Sequence, residues 1–300
     1  IVRDMIQRDE AVGPRILASN MAVSVPNGHM AGSLAYIAHS MEEAVHYVEL
    51  IAKDQPDLIK LMITGGVMDA KVKGEPGVLR MPAEYVKAAC EKAHSLGLKV
   101  AAHTESPEGV KIALRNGVDT IEHGAMPDQE MIDLFLEHKA SLITTLSPAL
   151  PYALFDLKVS HATELAKYNG NVVFEGEIEC TKKCIENGIP VGMGTDTGCP
   201  FITHYDMWRE LNYMQKYCGT TPAFALYTAT AANAKIAGID DITGTIEVGK
   251  CADFVVTKEN PLEHLTALRN ISMVVTRGKV IRDPRVEKMA NVETELDHFI

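Results

Sequence analysis

Four apolar runs, each ending on a side chain able to hold a metal ion, follow one another through the chain. They are LIKLMITGG with Lys60, KVAAHTES with His103, TIEHGA with His123 and PVGMGTDTG with Asp196. Buried parallel strands whose C-terminal tips open on one face are how a (β/α)8 barrel assembles an active site. The spacing therefore predicts a TIM-type α/β barrel and a metal-dependent enzyme.

The segments between these runs carry helical periodicity, which supports a parallel sheet. Helices are expected over Glu42–Ala52, Pro82–Leu96, Pro107–Asn116, Pro127–Lys139, Glu175–Glu186, His204–Tyr217 and Pro222–Ala237. Strand ends fall near Ile1, Val25, Thr64, His103, His123, Leu146 and Gly194, seven where closure needs eight. The missing first strand is expected before Ile1, where the chain starts without methionine and reads as the remainder of a strand. Ser147–Asn171, rich in proline and aromatic residues, reads as an irregular second wall of a pocket. From Gly244 onward, short strands with tight glycine turns replace the βα texture. The expected organisation is a barrel over 1–243 and a partial small β subdomain with a tail over 244–300.

A formal net charge of -11 argues against a nucleic-acid or anionic-membrane partner, because either would require a basic face. No apolar run reaches the ~18 residues of a membrane-spanning helix. Small molecules are the expected ligands; a homo-oligomer is compatible with the sequence, which does not reveal the oligomeric state. The six cysteines lack the paired spacings of zinc ribbons, and a chain of 300 residues needs no disulfide framework. The reducing cytoplasm is the expected compartment.

Lys60 stands among apolar neighbours in Leu58–Thr64, and lysine is rarely buried without a partner. Burial favours its neutral amine, which can capture carbon dioxide as a carbamate able to bridge two metal ions. The alternative is an ordinary strand-end lysine, snorkelling to solvent or paired with a carboxylate. His103 and His123 each close an apolar strand, and neutral imidazole is the commonest metal-binding side chain. Glu122 alternates with His123 and is expected on the opposite face, in a structural role. Asp196, in GTDTG, is either a ligand that also takes a proton from a metal-activated water or a helix N-cap. His29, in the Pro26–His29 turn, and Tyr152 are candidate substrate contacts, and the long glycine-bearing connection Gly65–Arg80 is a candidate lid or binding loop. Arg3 and Asp4 are expected to form a structural pair.

These four runs, with the ending GTIEVGKCADFVVTKENPLEHL and the following VVTRGKVI, resemble the amidohydrolase superfamily. The likeness is to its imidazolonepropionase-related branch, which includes prolidase-like dipeptidases. The resemblance implies that Lys60 is carboxylated and bridges two metals, that His103 and His123 bind one of them, and that Asp196 binds the other and acts as base. It also places His29 near the substrate, although Asn27 stands where the family usually has a glycine. Zinc is the metal this donor chemistry suggests first, with manganese and cobalt as substitutes.

The implied reaction is hydrolysis of an amide or peptide bond in a dipeptide or N-acyl amino acid. Deamination or cyclic-amide opening is the alternative within the superfamily. The His-x-His pair of the family's first strand is absent from this sequence, so an inactive or non-catalytic fragment is the third reading.

Overall fold

The computed structural model describes residues 1–300. The first element is a helix, α1 (Val2–Gln7), where the sequence predicts the end of a barrel strand. Six residues are too few for periodicity to separate strand from helix, and tertiary contacts decide. Ile6 is buried, Arg277 donates to the Ile6 carbonyl, and Lys279 pairs with Asp9 at 2.7 Å. Arg3 and Asp4 do pair, Nε to Oδ1 at 2.8 Å.

Strand β1 (Ala22–Ser24) is shorter than the expected Arg15–Val25 run, and β2 (Ala35–Ile37) was not anticipated. Helix α2 (Met41–Ala52) starts at Ser40, whose hydroxyl accepts from Glu43 N at 3.2 Å. Then alternate β3 (Leu58–Met62), α3 (Ala83–Ser95), β4 (Lys99–Thr104), α4 (Pro107–Arg115), β5 (Thr120–His123), α5 (Gln129–His138) and β6 (Ser141–Thr144). Ser106 and Asp128 cap α4 and α5 through the amides of Gly109 and Met131.

The stretch expected to be irregular is helical: α6 (Leu146–Leu154), α7 (Leu157–Ser160) and the long α8 (Glu164–Glu186). The prolines misled the reading. Pro148 lies in the first turn of α6, where a missing N–H costs nothing, and Glu210 takes up the free amides of Leu146 and Ser147 at 2.7 and 2.8 Å. Strand β7 (Val191–Met193) precedes α9 (Met207–Cys218), α10 (Pro222–Tyr227) and α11 (Asn233–Ala237), with a π-helical turn at Thr228–Ala232. The chain ends with β8 (Phe254–Thr257), β9 (Ile271–Thr276), β10 (Lys279–Arg282) and α12 (Ala290–Asp297). No helix is long and apolar enough to cross a membrane.

Two compact units result. One comprises residues 17–144 and 149–190. In it six strands run parallel in the order β2-β1-β3-β4-β5-β6. Ile59, Leu61, Val100, Ala102, Ile121 and Leu142 are fully buried along these strands, as expected for parallel strands covered by helices. The other unit comprises residues 1–16, 145–148 and 191–300. It holds β7, whose Met193 N–H and carbonyl both bond the Asn233 amide, at 3.0 and 2.9 Å. It also holds the antiparallel sheet β10-β9-β8, which is the small C-terminal β subdomain expected from the glycine turns. The overall class is the α/β one that the strand-helix alternation predicts.

Candidate metal centre

Strand register sets the geometry. Met62 pairs with His103, and His103 with Glu122, so these three share one row across β3, β4 and β5. Lys60 lies one pleat lower on the same face, and its Nζ bonds the Glu122 carboxylate. Glu122 also accepts from Thr120 Oγ1 at 2.9 Å. Glu122 thus belongs to the row of His103 and is the partner that holds Lys60, which settles how a lysine can sit among apolar residues.

By parity alone His123 would face away from that row. Its backbone prevents this: φ is +71°, in the left-handed region that ends the strand's alternation. Its ring comes within 4.8 Å of the His103 ring, centroid to centroid, in an edge-on arrangement. The ligand atoms of His103, Glu105 and His123 all lie within 4.8 Å of one another. Both histidines are 4% exposed, so water offers them little competition.

Two groups orient these rings. His103 Nε2 donates to the Gly65 carbonyl at 3.1 Å, which leaves its lone pair on Nδ1. His123 Nδ1 stands 3.5 Å from the carboxylate of Glu177, a residue of α8 that is 1% exposed. A carboxylate behind a histidine fixes its tautomer and raises its basicity as a ligand. The His103 pKa is pushed well below its ordinary value, first by burial and then by His123, His29 and Lys60. Neutral imidazole is the form that binds metal, so this donor set fits a divalent cation of the zinc type.

The connection after β3 is built into the same cluster. Its ends are clasped by Gly65 N to the Val78 carbonyl at 2.9 Å and Arg80 N to the Ile63 carbonyl at 3.0 Å. Val67 N donates to Glu105 at 3.0 Å, and Asp69 accepts from His29 Nδ1. The His29 ring stacks on His103 with centroids 4.2 Å apart. His29 therefore stands against the metal-ligand candidates.

Tyr152 and Asp196 are the remaining candidates. Tyr152 is half-buried on α6, its Cβ packed where Gly170 of α8 leaves room. Asp196 is exposed in the turn after β7, with φ +48°, in the unit that contains Glu210. Burial, aided by the Asp196 charge, pushes the Glu210 carboxyl up to about 7. Glu105 and Glu177 were not singled out in the sequence. Glu105 had a signal, two residues past His103 at a strand end. Glu177 had none, because only the packing of α8 brings it behind His123.

Residues 2–281 match the amidohydrolase family, and the chain belongs to it. Its solved members of this likeness are TIM-barrel proteins, the fold expected from the four runs. A crystal structure from Bifidobacterium longum, provisionally assigned as a prolidase, superposes with a TM-score of 0.91 at 39% identity, over 99% of this chain and 73% of that one. A Xaa-Pro dipeptidase solved with methionine in its active site gives 0.83 at 30% identity, over 94% and 71% of the two chains. The ochratoxinase of Aspergillus niger is 25% identical over 92% of this chain and 62% of its own length. The present chain thus spans less than two thirds of that relative. These neighbours agree with the prolidase-like branch suggested by the motifs.

Proposed function

We propose that the protein is a metal-dependent hydrolase of the amide bond in a small substrate, a dipeptide or an N-acyl amino acid. The observation that carries this reading is the convergence of His103, Glu105 and His123 at adjacent strand exits, with Lys60 one pleat below. Family membership supports it, as do relatives described as a prolidase and an ochratoxinase.

Lys60, His103, His123 and Asp196 are the proposed ligands, with Glu105 added to the set. A bound divalent cation, zinc in the first instance, would supply Lewis-acid polarisation and a nucleophile active at neutral pH. The residues do the rest. His103 and His123 stay neutral through burial, and Glu177 keeps His123 in one tautomer. His29, whose Nδ1 is held by Asp69, is assigned the substrate contact through its other ring nitrogen. Asp196 is assigned the proton transfer, from water to the leaving amine, by the family resemblance. A carbamate on Lys60 is part of the proposal and requires the ammonium to leave Glu122 and give up two protons to solvent as its nitrogen bonds to the carbon of carbon dioxide.

The test is a screen of dipeptides, N-acyl amino acids and cyclic amides with zinc-, manganese- and cobalt-loaded protein, scored by amine release. Metal-dependent amide hydrolysis that His103→Ala and His123→Ala abolish is the expected result. Tight metal binding without turnover of any amide would overturn the reading.

A further inference from the structure

Residues 71–75, midway through the connection after β3, all expose their side chains, and Val72 is 51% exposed. Apolar burial therefore cannot hold this segment in place. Helix α8 does so instead, through Asn169, which is fully buried and directs its side-chain amide at the segment. Its Nδ2 donates to the Val72 carbonyl at 3.0 Å, and its Oδ1 accepts from Gly74 N at 2.7 Å. Both sides of one backbone corner are thus clasped. Lys73 Nζ also lies 4.4 Å from the centre of the Tyr168 ring, an exposed pair of small worth beside the clasp.

The stretch between this corner and β3 carries Asp69, which accepts from His29 Nδ1, and the His29 ring stacks on His103. Asp69 is half-buried, in a turn closed by its N–H to the Gly66 carbonyl at 3.0 Å. A turn in surface chain has several backbone states open to it, and fixed points on both sides select one. On the strand side the fixed point is Val67, whose N–H donates to Glu105 at 3.0 Å. On the other side it is Asn169. Roughly 12 Å further along α8, Glu177 backs His123. One helix therefore supports both histidines, His123 directly and His103 through the loop and His29.

We propose that Asn169 is a positioning residue for the metal centre: pinning the loop at Val72 and Gly74 holds Asp69 against His29 and so fixes the tautomer of the ring that stacks on His103. The inference deepens the hydrolase reading above, on which its kinetic consequence rests.

Two measurements test it, both on zinc-equilibrated protein carrying Asn169→Leu, which keeps the volume and removes both hydrogen bonds. In nitrogen NMR spectra of the imidazoles at one mildly alkaline pH, His29 should move from a single tautomer, protonated on Nδ1, toward the mixture of a free ring. His123 should not move. A general loosening of α8 would shift both rings, because Glu177 rides on the same helix. In kinetics on the best amide of the screen, Asn169→Leu should lower kcat/KM by roughly 10-fold or more. The double variant with Asp69→Ala should fall within about 2-fold of Asp69→Ala alone, since residues acting through one another lose their effect once.

Should Asn169→Leu fail to fold, Asn169→Asp repeats the test at smaller amplitude, because it keeps the acceptor for Gly74 and loses only the donor to Val72. An unchanged His29 spectrum, a joint shift of His29 and His123, or losses that multiply in the double variant would overturn the role. A shifted His29 in protein that hydrolyses no amide would instead sink the hydrolase reading and leave Asn169 as the clasp of the loop.

Discussion

The imidazole of His29 lies flat on that of His103, with planes inclined by 7°. Asp69 holds the far edge of His29, so a loop carboxylate sets the tautomer of one ring while the ring it stacks on belongs to the candidate metal ligands. Asp69→Ala should therefore reduce kcat/KM by roughly 10- to 100-fold, the usual cost of losing an orienting carboxylate, with metal content unchanged. Steady-state kinetics alongside metal analysis checks this, and a parallel loss of metal would point to a ligand role instead.

Glu177 acts one layer behind His123. Glu177→Gln keeps the shape and removes the charge, so metal affinity should fall by roughly 10- to 100-fold. Competition against a chromophoric chelator measures it directly. An unchanged affinity would remove Glu177 from the centre.

Glu210 gives stability a pH dependence of definite sign. Its folded pKa is raised from 4.5 to about 7, so between those values the folded protein holds a proton that the unfolded chain has released. Stability is then greatest below pH 4.5 as far as this group is concerned, and is lost as pH rises toward about 7. Denaturant titrations across this window should show the fall in the parent protein, and Glu210→Gln should flatten it.

Arg209 is 1% exposed and faces three carboxylates: Asp206 at 3.4 Å, Glu293 at 3.2 Å and Asp297 at 2.7 Å. Its guanidinium also stacks on Trp208 at 4.5 Å. Arg209→Met removes the buried cation common to all three acids, leaving Arg269 to pair with Glu293 and Asp297 only, and a loss of about 3–5 kcal/mol is expected. Chemical unfolding should register it, with α12 losing amide protection first because Glu293 and Asp297 tie that helix down.

Gly77→Ala should disturb the loop rather than the core, since the added methyl meets backbone and cannot be accommodated by a side-chain rotation. About 1–3 kcal/mol of destabilisation is expected, as for other overpacked sites. Limited proteolysis should then cut between Gly65 and Arg80 faster than in the parent.

Much of the fold was legible because buried parallel strands advertise themselves. The runs around Ile59, Val100, Ile121 and Leu142 are apolar throughout, and the helices between them begin with readable caps such as Ser106 and Asp128. The errors fell where length or chemistry blurred the signal. Strand β2 has three residues, too few to show a period, and α1 has six. Proline marked α6 as irregular, although its amides were capped by a residue more than sixty positions away.

Among the candidate residues, the strand positions of His103, His123 and Lys60 were legible. Glu122, the partner of Lys60, was expected on the face away from His123. Alternation placed Glu122 opposite His123, and only the positive φ at His123 brings both to one side. Glu177 was invisible because its role exists only once α8 has packed.

That left-handed backbone has a further consequence. Whatever replaces His123 must tolerate the same torsion, a condition that asparagine, aspartate and histidine meet more readily than β-branched residues. The main chain thus filters the chemistry available at this corner, leaving glycine and a few polar side chains as the easily tolerated replacements before any question of metal preference arises.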